Sequence, residues 1–124
     1  MKIFLFFSHK LTSSQIEDIK KMGIKEIVYL PSNLQKKFSN IPPEVDNLSE
    51  YVRVFVDYLL KHSKPNDYIL IQGDFGLVYH LVNISKSIGL IPIYSTTKRV
   101  AIEEKKGKEV IKTSKFEHIR FRRF

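Results

Sequence analysis

Short apolar runs and helical periodicities alternate along this chain, and that alternation restricts the fold more than any other feature. Residues 2 to 7 are a continuous β-favouring run, Lys2-Ile3-Phe4-Leu5-Phe6-Phe7, which suits a central strand buried on both faces. Residues 12 to 22 switch to helical spacing, with Ile16, Ile19 and Met22 as the apolar stripe. Thr12 with Gln15, or Ser14 with Glu17, fits a capping box at its start, and Gly23 stands where a C-terminal cap belongs. Glu26 to Leu30 reads as a second short strand ended by Pro31.

The pattern weakens from Ser32 to Asp46, where Ser39-Asn40-Ile41-Pro42-Pro43 marks a rigid loop. Helical spacing returns at Leu48, Tyr51, Val52, Phe55, Leu59 and Leu60, with Asp46 or Asn47 as the cap. Lys64-Pro65-Asn66-Asp67 breaks that helix, and Tyr68 to Gln72 makes a third strand. Gly73-Asp74-Phe75-Gly76 turns directly into a helix carrying Leu77, Val78, Leu81, Val82 and Ile88, stopped by Gly89. Ile91 to Ser95 is a fourth strand, with Pro92 tolerated near its beginning. Strand and helix alternating in this way predict a Rossmann-like α/β domain, a mostly parallel sheet with helices on both faces.

The grammar changes after Thr96. Arg99 to Glu104 and Glu109 to Thr113 flank Lys105 to Lys108 around Gly107, which predicts a C-terminal β-hairpin extension. Residues 116 to 122 then alternate, which puts Ile119 and Phe121 on one side and His118, Arg120 and Arg122 on the other. The expectation is a single domain over 1–124, with a core over 1–97 and a basic β extension over 98–124.

Charge marks the same division. Residues 98 to 124 hold ten Lys or Arg and four Asp or Glu, whereas residues 1 to 97 hold eleven and nine, so most of the net +8 lies in the last quarter. A localised basic segment is the signature of a polyanionic partner, and equally of a solvated tail. The absence of cysteine excludes disulfides, thiolate metal sites and thiol nucleophiles together. The opening apolar run stops at Ser8-His9-Lys10, too soon for a secretory signal. No other stretch approaches the roughly 20 apolar residues that cross a bilayer. The expectation is a soluble, cytoplasmic protein with no membrane partner.

Ligands of open α/β sheets bind beyond the carboxyl ends of the strands, so the segments at those ends are the candidate site. After the first strand come Ser8 and His9, a hydroxyl for positioning and an imidazole suited to general acid or base work, although a lone loop histidine is more often structural. After the third come Gln72, Gly73, Asp74, Phe75 and Gly76, a glycine-bracketed turn into a helix N-terminus that favours an anion. The turn lacks the Gly-Lys-Ser/Thr ending of a Walker loop and is no G-x-G-x-x-G fingerprint. Asp74 suits either a helix cap or an acceptor for a ribose or base, and Phe75 either plugs the sheet end or stacks on a base. After the fourth come Thr96, Thr97, Lys98 and Arg99, two hydroxyls and two cations suited to phosphate. His9, His62, His80 and His118 have no metal-ligand spacing, so neither a metal site nor a cofactor is expected.

These motifs in order, Ser8-His9-Lys10-Leu11-Thr12, Tyr29-Leu30-Pro31, Ser39-Asn40-Ile41-Pro42-Pro43, Gln72-Gly73-Asp74-Phe75-Gly76, Ile91 to Arg99 and His118 to Arg122, resemble a small single-domain family of CRISPR-associated proteins (Csx group) from type III systems. The similarity runs almost end to end. It implies a fold related to CARF sensor domains and a role in binding or degrading cyclic oligoadenylate second messengers, cyclic tetra-adenylate ahead of hexa-adenylate. Such a ring calls for cations, hydroxyls and base-stacking groups, and its symmetry suits a two-fold homodimer. With 124 residues the expectation is that no attached effector is present, which leaves removal, sequestration or relay of the messenger.

On that resemblance the leading expectation is a metal-independent ring nuclease, in which a ribose 2′-OH attacks its neighbouring phosphate in line. His9, Ser8, Lys98 and Arg99 are the catalytic candidates. Asn40, Gln72, Gly73, Asp74, Phe75, Gly76, Thr96 and Thr97 are the ligand-binding ones. A non-catalytic binder of the same messenger is the first alternative, and a small RNA- or DNA-binding protein using the basic strands is the second.

Overall fold

The computed structural model describes all 124 residues. The chain forms β1 (Lys2–Phe7), α1 (Ser13–Lys21), β2 (Glu26–Tyr29), α2 (Ser32–Ser39), α3 (Ser49–His62), β3 (Tyr68–Gln72), α4 (Phe75–Ser87), β4 (Ile91–Lys106) and β5 (Glu109–Arg123). One five-stranded sheet has the order β2-β1-β3-β4-β5. The first four strands are parallel and β5 runs antiparallel to β4. This is an α/β fold with a mostly parallel sheet.

The central strands β1 and β3 read as apolar runs because both of their faces are covered. Phe4, Phe6, Ile69 and Ile71 pack on Phe38, Phe55, Leu59, Leu77 and Leu81 from α2, α3 and α4. Ile3, Leu5, Tyr68 and Leu70 face the other way, onto Ile19 of α1 together with Ile93 and Phe121. Thr12 caps α1 with a full capping box through Gln15, the first of the two possible boxes. Asp74 caps α4, its carboxylate accepting from the Leu77 amide at 3.1 Å. At α3 the capping position falls to Leu48, and Asn47 contributes one step earlier by accepting from the Ser49 amide at 2.8 Å.

Three expectations are corrected. The weakly patterned stretch after Pro31 holds a helix, α2, whose single buried apolar residue, Phe38, leaves too narrow a stripe to register as periodicity. The fourth strand does not end at Ser95. It continues to Lys106 and forms one long ribbon with β5, so the core and the extension expected to meet at 97/98 share one strand. The ribbon closes in a two-residue turn, Gly107-Lys108, with Gly107 alone at positive φ (64°), as the first position of a type II′ turn requires.

The third correction concerns the alternation from 116 to 122. Thr96 pairs with Arg120 but Thr97 pairs with His118, so Ile119 is an extra residue in β5, a β-bulge. Side chains beyond it change face. His118 therefore shares the α1 side with Phe121, their rings 4.7 Å apart, instead of siding with Arg120 and Arg122.

Candidate functional site

The chain leaves β1 for β2 on one side and returns to β3 on the other, so the carboxyl ends of β1 and β3 flank the crevice where such sheets bind ligands. Here α2 lies across that crevice. Gln35 Nε2 donates to the Phe7 carbonyl at 3.1 Å, and the Ser39 hydroxyl donates to Ser8 Oγ at 3.1 Å. The Phe38 ring packs against Gly73, where a Cβ would lie only 2.9 Å from Phe38 Cζ. A ligand at this edge must therefore sit outside α2.

Several residues expected to bind ligand have structural work instead. Gln72 Oε1 accepts from the Ser95 amide at 2.9 Å and so joins the end of β3 to β4. Gly73 makes room for Phe38, and Gly76 lies beneath Leu48 Cδ1, 3.1 Å from where its Cβ would be. Asp74 is the helix cap, the first of its two expected roles. Asn40 ends α2, its side-chain Nδ2 donating to the Lys36 carbonyl at 2.8 Å. Ser8 is engaged by Ser39, and the His9 ring leans edge-on against Phe7 at 5.4 Å, so these neighbours form no nucleophile–base pair. Phe75 does not plug the sheet end: it stands 94% exposed on the first turn of α4.

Thr96 to Arg99 are not a strand end. They lie within β4, where the hairpin leaves the parallel sheet, and Thr96 both donates to the Arg120 carbonyl (3.0 Å) and accepts from its amide (3.2 Å). Alternation places Lys98 and Arg99 on opposite faces. Lys98 stands opposite Glu117, while Arg99 stands opposite Phe116 and donates to Ser114 Oγ from Nε (3.0 Å) and a terminal nitrogen (2.9 Å). One site cannot use both cations. Thr97, exposed at the bulge, faces His118.

The bulge assembles a buried polar network that composition and spacing did not reveal. His118 has a side chain only 2% exposed, with Nε2 2.7 Å from Asp18 Oδ2 and Nδ1 2.5 Å from Ser95 Oγ. Ser95 also accepts from Gln15 Nε2 at 3.3 Å. The order Asp-His-Ser has the form of a catalytic triad, but Ser95 is itself buried (7% exposed) and already holds two partners, so no substrate reaches it. The network anchors the root of the hairpin to α1.

What stays free around the carboxyl edge is a set of basic and imidazole side chains and one aromatic. His9 and Lys10 are exposed beyond β1, Lys98 lies on the α4 side of the hairpin root, and Phe75 stands beyond β3. Between α2 and α3, an open groove of 570 Å³ is lined by Lys36, Lys37, Asn40, Tyr51 and Arg53 together with Glu50 and Val54. Of these the sequence reading singled out only Asn40 for the site. Lys36 and Lys37 lie on α2, which the sequence pattern does not show, and Tyr51 reads as part of the apolar stripe of α3. No group of three His, Asp or Glu side chains is arranged to hold a metal.

Fold and edge together define an α/β protein with a mostly parallel sheet, a helix lying over its carboxyl edge and a long β-ribbon. The chain belongs to the family described as Uncharacterized protein MJ1673 family, whose model matches residues 1–122. It is 52% identical over 124 residues to Uncharacterized protein MJ1673 of Methanocaldococcus jannaschii, covering 99% of this chain and 96% of that one. No solved structure matches it.

Proposed function

We propose that this chain binds a cyclic oligoadenylate at the carboxyl edge of its sheet and cleaves it without a metal, as the resemblance to the type III CRISPR-associated family implies. The observation that carries the proposal is Phe75, an almost fully exposed ring on the first turn of α4, beyond the carboxyl end of β3. An exposed aromatic offers a base a stacking surface, while Lys98 offers charge and His9 a hydrogen-bonding ring to the phosphates. The groove between α2 and α3 adds Lys36, Lys37 and Arg53. In-line attack by the ring's own 2′-OH needs no protein nucleophile, only a held geometry and stabilised charge. A Rossmann-like, CARF-related classification, a cytoplasmic location and assembly as a homodimer belong to the same proposal.

Capture without cleavage is the second reading. It is favoured by the separation of the catalytic candidates: Ser8 is held by Ser39, and Lys98 and Arg99 point to opposite faces. Incubating purified protein with labelled cyclic tetra- and hexa-adenylate in EDTA, followed by mass spectrometry, decides between them. Linear products support cleavage. Retention of intact ring at stoichiometric amounts supports capture, and failure to bind either ring overturns both.

A further inference from the structure

From Lys98 to Glu117 the β4–β5 ribbon projects from the sheet, its root bordering the start of α1 where Lys115, Phe116 and Glu117 share a hollow with Ser13, Ser14 and Glu17, and its residues are exposed along almost its whole length. A lone two-stranded hairpin is only marginally stable in water. On the face shared with α4, the cross-strand rows from root to tip are Lys98–Glu117, Val100–Lys115, Ile102–Thr113, Glu104–Ile111 and Lys106–Glu109. Val100, Ile102 and Ile111 thus form an apolar centre between charged rows.

The charges decide among possible occupants. Three of the four arm carboxylates, Glu103, Glu109 and Glu117, stand directly opposite Lys112, Lys106 and Lys98, and Glu103 closes an ion pair with Lys112 at 3.7 Å, so the arm carries interleaved charges of both signs. That weakens the case for a nucleic-acid partner. Lysines along both edges oppose the addition of a further strand. On the α4-side face two charges remain unmatched, Lys115 and Glu104, one row to either side of the Ile102–Thr113 row. A second copy laid face to face and antiparallel about that row brings each Lys115 to the level of the partner's Glu104, with the apolar centres in contact.

We infer that the hairpin is a dimerisation arm whose Val100–Ile102–Ile111 face packs on the same face of a second copy across a two-fold axis. The inference stands independently of the ligand proposed above. Each arm face measures roughly 30 Å by 10 Å, on the order of 300 Å² per copy, from the spacings of a two-stranded ribbon. Two such faces bury less than the roughly 1,200 Å² of a standard stable interface. The dimer is therefore weak and dissociates on dilution.

Sedimentation equilibrium of the full chain, from low micromolar to near-millimolar, tests this. The mass should rise with concentration from one chain to two. Ile102→Glu should weaken association about tenfold or more by placing a charge in the apolar centre. Lys115→Glu and Glu104→Lys should each weaken it, and the double exchange should restore it. All these positions are exposed and outside the core, so thermal melting should stay near the wild type and serves as the folding control. A wild type that remains monomeric throughout overturns the inference, as does a dimer indifferent to Ile102→Glu, or single charge variants that the double exchange does not rescue. A monomer that instead retains duplex RNA through the arm also overturns it.

Discussion

His118 and Asp18 are 100 residues apart in sequence and 2.7 Å apart in space, Nε2 to Oδ2, and their contact fixes the root of the β-ribbon to α1. The imidazole's other nitrogen meets Ser95, so removing the ring strands a buried hydroxyl and a half-buried carboxylate together. His118→Ala should lower stability by about 1–3 kcal/mol. Asp18→Ala should be milder, because the Asp18 side chain is 30% exposed and water replaces part of what it loses. Chemical denaturation of both variants checks the order, and a His118→Ala protein as stable as the wild type would mean that the contact does not anchor the ribbon.

Gly73→Ala should destabilise more than Gly76→Ala. The new methyl at 73 would meet the Phe38 ring at 2.9 Å, and that ring is wedged between Phe6 and Phe55, whereas at 76 it meets the mobile end of Leu48 at 3.1 Å. Overpacking of this kind costs about 1–3 kcal/mol. Combining Gly73→Ala with Phe38→Leu should cost less than the two changes summed, since the smaller side chain clears the clash. Thermal melts of the four proteins measure the coupling, and simple additivity would refute the contact's role.

The parts of the fold that were legible in the sequence are those specified by local signals. Thr12 and Asp74 cap helices and Gly89 stops one because capping needs only neighbours in the chain, and the Phe4–Phe6 run declares a strand covered on both faces. Other features depend on tertiary contact. Nothing adjacent to Ser32–Ser39 shows that Phe38 will find Phe6 and Phe55. The extra residue at Ile119 is visible only once β5 is aligned on β4, and that alignment turns His118 inward. The candidate site was sought at the carboxyl edge of the sheet, where the polar groups expected to hold ligand, Gln72 and Asp74 foremost, are occupied by backbone amides.

Tyr58 makes the stability sensitive to alkali. Burial pushes its phenol above the ordinary value of 10.0. The neutral form is the one the fold favours, so the contribution is fully present below pH 10 and is lost as the pH rises further, where the unfolded chain ionises first. Relative to Tyr58→Phe, the wild type should lose stability between neutral pH and about pH 11. Urea midpoints for both proteins at the two pH values test this, and parallel losses would show that the phenol is not responsible.

Phe75 and Lys98 should govern ligand affinity without governing the fold. Phe75 is 94% exposed and Lys98 is exposed opposite Glu117, so truncating either removes little packing and should leave the melting temperature almost unchanged. Loss of a stacking ring costs about 1–3 kcal/mol, so Phe75→Ala should weaken binding of cyclic tetra-adenylate by roughly five- to 150-fold. Lys98→Ala should weaken it strongly as well, whereas Arg99→Ala should matter less because that guanidinium lies on the other face, held by Ser114. The pair Arg120→Ala with Arg122→Ala should also have the smaller effect: Arg120 folds back to the Phe121 carbonyl, and Arg122 lies over the Tyr94 ring. Fluorescence anisotropy with a labelled ring ranks the variants. If the Arg120/Arg122 pair proved essential and Lys98 dispensable, the anion site would lie on the late basic strand and not at the carboxyl edge.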